Sequence, residues 1–181
     1  MNKNTFIKIL RRRVAGAAVT PSAARNMGPE GTIRAARKFL AEKVSLDKVG
    51  RSGAGYAKLL DELTSSLVEA LPKGKWGAAR KFLNIFVRDA ASNFYLREKF
   101  GLHRVEKFLE VPVDRHVAQF LREQEREQEN EGVLPKWKSV ISLSSEQNKM
   151  YQNASKKFAK KENIDPIHVD IIAWRKETNY L

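Results

Sequence analysis

Two residues have types and surroundings that suit covalent chemistry. Lys81 stands in the run Arg80-Lys81-Phe82-Leu83-Asn84, and Asp114 in Val113-Asp114-Arg115-His116-Val117. An amine can attack the anomeric carbon of a deoxynucleotide, displace the base and become a Schiff base, provided that a low-dielectric setting leaves it neutral. Phe82, Leu83 and Ile85 offer Lys81 such a setting, although the same pattern also describes a lysine that snorkels to water from the shoulder of a helix. Pro112 enforces an extended approach to Asp114, which then stands where a helix N-cap would, its carboxylate held ionised beside backbone amides. A fixed anion there could stabilise an oxocarbenium-like sugar or help to activate a nucleophile; the local sequence fits an ordinary helix cap equally well.

A third feature precedes Lys81. Pro72-Lys73-Gly74-Lys75-Trp76-Gly77 is a basic, glycine-bearing turn that leads into a helix. Glycines let backbone amides approach a phosphate closely, the helix start adds partial positive charge, and Lys73, Lys75 and Arg80 would add charge-assisted contacts. The plain alternative is a helix–turn–helix connector.

The elements that must position these groups are helices. Apolar residues recur at three and four residues through the chain, and two-residue alternation is nearly absent, which predicts an all-α, compact fold. Helices are expected over about 4–18, over 32–43 with Thr32 as cap, over 56–70, and over 78–98 as a long central helix with Phe94 among its inner residues. On that central helix Lys81, Asn84, Arg88 and Ser92 form a polar stripe that should face a groove. After Asp114 comes a helix with Val117, Ala118 and Leu121 inside. It runs into a solvated, mixed-charge extension over 122–131, which Gly132 and Pro135 end. Ser144 with Gln147 predicts a capping box for the next helix, and Asp165-Pro166 starts the last. The 181 residues suit one helical domain, with possible lobes over 1–70 and 71–181 sharing a cleft.

Composition bounds the partner. Lys and Arg number 34 against 21 Asp and Glu, a formal net charge of +13, so the surface attracts polyanions, of which a phosphate backbone is the usual one inside cells. The absence of cysteine excludes disulfides, thiolate metal sites and cysteine nucleophiles. His103, His116 and His168 show no metal-ligand spacing, so neither a metal nor another cofactor is expected. The apolar stretch near the start is too short for a signal segment, and no run approaches the roughly 20 apolar residues that span a bilayer. The expectation is a monomer in the cytoplasm, associated with the nucleoid, with no membrane partner.

The run from Gly74 to about Leu121 resembles the helix-hairpin-helix DNA glycosylase superfamily. There, a glycine hairpin leads into a helix bearing a catalytic lysine, and a catalytic aspartate heads a later helix in a Val-Asp-Thr-His-Val type of motif. The interval from Lys81 to Asp114 is similar to that of the archaeal branch that removes oxidised guanine. The resemblance implies a glycosylase and lyase acting on duplex DNA, with Lys81 as nucleophile and Asp114 as its charged helper. It also implies a damaged base flipped against an aromatic ring, for which Trp76, Tyr151 and Trp174 are the candidates. Asn84, Arg88 and Arg115, with Lys73, Gly74, Lys75, Gly77 and Arg80, are the candidate nucleic-acid contacts. Here the glycines stand at 74 and 77 and not as a Gly-x-Gly pair, Arg115 replaces a small hydroxyl residue, and Gln119 sits where an arginine is common. Two rival readings use the same chain: a basic DNA- or RNA-binding protein without catalysis, and a regulatory factor that docks through the 122–131 extension.

Overall fold

The computed structural model describes residues 1–127 and 134–176. The fold is all-α, with no strand among the described residues. The α-helices among those residues run in the order α1 Lys3–Ala18, α2 Thr32–Glu42, α3 Leu46–Ser52, α4 Tyr56–Ala70, α5 Trp76–Ser92, α6 Phe94–Phe100, α7 Arg115–Glu127, α8 Ser145–Lys161 and α9 Val169–Lys176. The end of the 122–131 extension, and Gly132 as its terminator, lie outside the described residues.

Local chemistry sets the boundaries. Asn2 caps α1 by accepting from the Thr5 amide at 2.9 Å. The residue that caps α2 is Gly31, in the left-handed region at φ 87°, whereas Thr32 is the first helical residue and its hydroxyl donates back to the Pro29 carbonyl at 2.7 Å. The expected helix over 78–98 is two helices. Asn93 leaves the helical region at ψ 114°, and its side chain accepts from the Leu96 amide at 3.1 Å, so it ends α5 and caps α6. That break turns Phe94 outward, 69% exposed and edge-on to Tyr95. The capping box at Ser144 and Gln147 forms as the sequence predicts.

Two apolar clusters fill the interior. The first gathers α1 through α6 down to Leu109, together with Ile167. The second runs from Val111 through α7, α8 and α9. The boundary between the two clusters falls at Glu110, and the buried apolar residues of α5 belong to the first. Between the clusters Glu110 is a polar hub. Arg80 donates to both of its oxygens at 2.9 and 2.8 Å, Asn84 and Asn148 donate to Oε2 at 3.3 and 3.1 Å, and the Arg80 guanidinium also reaches Asp61 and Thr64. Arg80 and Asn84 are thus buried in a structural network.

Candidate active site

Asp114 is delivered by a pinned stretch of irregular backbone. Gln152 clamps Val111 from both sides: the Val111 amide donates to its Oε1 at 3.0 Å and its Nε2 donates to the Val111 carbonyl at 2.8 Å. Val111 and Val113 are buried, which fixes the path on either side of Pro112. Asp114 then heads α7, and its Oδ1 accepts from the amides of His116 and Val117 at 3.0 and 3.2 Å. The second oxygen, Oδ2, is left to face Lys81, whose Nζ lies 3.7 Å away. One carboxylate therefore serves as helix cap and site anion together, a different oxygen for each.

Lys81 reaches that position because of its phase on α5. At about 3.6 residues per turn, residues 81, 85 and 88 share one face, while 80 and 84 fall on the flank that meets Glu110. The expected stripe consequently splits: Lys81 and Arg88 line the cleft with Ile85, and Asn84 turns inward. The Lys81 side chain keeps only 11% of its surface. Burial holds its amine below the ordinary lysine value, the neighbouring Arg88 acts in the same sense, and Asp114 opposes both. An amine so placed deprotonates more readily than a surface lysine, which is the requirement for a nitrogen nucleophile.

The two groups stand on the wall of a cavity of about 700 Å³, larger than a nucleobase needs. Its walls include Arg88, His116, Trp137, Asp170 and Trp174, and across from α5 the segment holding Thr20, Ser22, Arg25 and Asn26. Asp170 is buried, with Oδ2 paired to the Arg88 guanidinium and Oδ1 without a hydrogen-bond partner among the described residues. Its burial raises its pKa, against the pull of Arg88. Trp174, 47% exposed, lies one helical turn beyond Asp170 on α9 and has its ring 4.0 Å from that of His116, centre to centre. Arg115 is exposed beside the cavity.

Several sequence assignments change. Arg80 and Asn84 do not face a nucleic acid, because both are consumed by Glu110. Gly77 and Gly74 are needed for chain-to-chain contact: a Cβ at Gly77 would come within 1.9 Å of the Val140 carbonyl oxygen, and one at Gly74 within 2.0 Å of that of Val68. Lys73 and Lys75 on the same turn are exposed. Of the three aromatic candidates only Trp174 lines the cavity. Tyr151 is buried and donates its hydroxyl to the Pro135 carbonyl at 2.7 Å, and Trp76 lies beneath the Arg80 guanidinium against the second cluster. Asp170 and the 20–26 wall escape a reading of the sequence. The spacing of Asp170 and Trp174 by one helical turn is the signal that could have found the first of these.

No family model, curated protein or solved structure matches this chain. What the site can do therefore rests on its own geometry.

Proposed function

We propose that the chain is a DNA N-glycosylase with lyase activity, using Lys81 as nucleophile and Asp114 as the anion beside it. The observation that carries this reading is the meeting of the Lys81 amine and the Asp114 carboxylate, distant in sequence, on the wall of one cavity with room for a base. In the reaction the Lys81 lone pair forms a bond to C1′ as the bond from C1′ to the base breaks. The electron pair leaves with the base, which takes up a proton. Of the two amine protons one balances the departing base and the other goes to O4′ as the C1′–O4′ bond breaks and the sugar opens to the imine, and Asp114 stabilises the positive charge that develops on the way. Trp174 offers a ring face to an extruded base.

The test is borohydride trapping on duplex DNA that carries oxidised guanine or an abasic site, since reduction of the imine leaves a stable secondary amine. Adduct with the native protein supports the proposal. Tight binding without adduct on any lesion would leave a basic nucleic-acid-binding protein, the reading that the charge alone favours.

The pH profile follows from the site. The trapping rate should rise as Lys81 loses its proton and level off above a midpoint lower than the ordinary 10.5 of lysine. Asp114→Asn removes the charge that favours the protonated amine, so its midpoint should move lower still while the plateau rate drops. Rate measurements across pH on both proteins check this.

The exposed cations make a separate prediction. Arg115→Ala should weaken binding to all duplex sequences alike and lessen the slope of log affinity against log salt by about 0.9 for each phosphate that is no longer neutralised. Affinity measured at several salt concentrations decides it.

A further inference from the structure

Away from the cavity, a second cluster of side chains sits where the two apolar clusters meet. Glu106 lies on the short turn 106–108 that leads toward Glu110 and Asp114. Asp165 caps, and His168 ends, the turn 166–168 that leads into α9, the helix of Asp170 and Trp174. One ligand atom from each of the three falls within 4.8 Å of the others, and all three side chains are half-buried. We propose that Glu106, Asp165 and His168 form a site for a divalent transition metal, zinc by preference, with water completing the coordination.

The spacing of His168 from Glu106 fits such an ion. His168 Nε2 lies 3.3 Å from Glu106 Oε1, longer than the usual N–H···O bond of about 2.9 Å. It is close to the edge, about 3.3 Å, of a tetrahedron whose corners stand roughly 2.0–2.1 Å from zinc. The other Glu106 oxygen is ion-paired with Arg97 Nη1 at 2.6 Å. That contact orients the carboxylate and turns Oε1 into the cluster, as partners behind a ligand commonly do. Asp165 stands at the N-cap of its turn, yet its side chain makes no bond to the turn's amides, which leaves the carboxylate available.

The three positions are also held in place. Val105 and Leu109 are buried around Glu106, and Pro166, Ile167 and Val169 around the other two, so binding would not require the chain to be ordered first. One imidazole with two carboxylates suits zinc or cobalt, whereas magnesium and calcium prefer all-oxygen surroundings. The spacing of the three histidines could not reveal the set, because Glu106 completes it from far away in the chain.

The experiment uses the full chain stripped with a chelator. Zinc alone is followed by calorimetry, and cobalt alone by its visible ligand-field absorption. Native protein should take up one ion, gain a cobalt band and melt higher with zinc. His168→Ala and Asp165→Asn should lose affinity by about tenfold or more, and His103→Ala, at an exposed histidine elsewhere, should bind as native does. Where the alanine variant loses its helical signal, Asp165→Asn, which keeps the side-chain size, decides. No uptake by native protein, unchanged affinity in Asp165→Asn, or displacement of zinc by equal calcium would overturn the proposal. None of these readouts depends on glycosylase activity.

Discussion

Lys81→Ala protein is expected to form no borohydride-stable adduct and to lose excision on the order of a thousandfold or more, while still binding DNA. The size follows from the role: a covalent route without its nucleophile has no partial version, and among the described residues no other lysine lines the cavity. Lys81 packs beside Ile85, so the truncation also tests whether the cavity tolerates the missing volume; the helical signal should persist. Asp114→Asn makes the informative comparison. Asparagine caps helices as well as aspartate does, so α7 keeps its start while the site loses its charge. An intermediate rate in that variant, with melting unchanged, would separate the two jobs that the carboxylate's two oxygens perform. Single-turnover rates on matched substrates measure both effects.

The largest effect on stability is expected at Glu110. Glu110→Ala leaves the Arg80 guanidinium, 5% exposed at the side chain, with the largely exposed Asp61 and the Thr64 hydroxyl as its remaining acceptors, and it strips an acceptor from Asn84 and Asn148. Breaking a buried pair in this way costs about 3–5 kcal/mol, because a charge is left buried without compensation. For a chain of this size the melting temperature should fall by roughly 10 °C or more. Replacing Arg80 and Glu110 together with apolar residues of like volume should cost less than the single truncation, since no charge is then stranded. Thermal melts of the single and double variants check both statements. Glu110 also anchors the segment that ends at Asp114, so adduct formation should fall with it.

The all-α class was legible because it depends on periodicity, which each helix writes locally. The pairing of Lys81 with Asp114 was legible only through the shape of two short motifs, and its geometry needed the fold. On α5 the misread residues share one cause. Lys81, Asn84, Arg88 and Arg80 look alike as a polar flank, but a rotation of one residue on α5 separates those that face the cavity from those that face Glu110, and only the tertiary position of Glu110 decides which is which. Gly74 and Gly77 suggest phosphate approach in a string of residues, whereas in space the backbone of Val68 and Val140 occupies the place. Asn93 hid the end of α5 because a polar residue within an apolar period reads as a solvent-facing position until its side chain is seen capping the next helix. Asp170 was invisible because its partner, Arg88, lies on another helix in the other half of the chain.

The central claim concerns one atom, the Lys81 amine nitrogen, and the most direct measurement is to find where the sugar becomes attached. Native protein trapped with borohydride on an abasic duplex, digested and read by mass spectrometry, should carry the sugar remnant on the peptide that contains Lys81. A remnant on the N-terminal amine or another lysine, or unmodified protein after saturating exposure, would contradict the account.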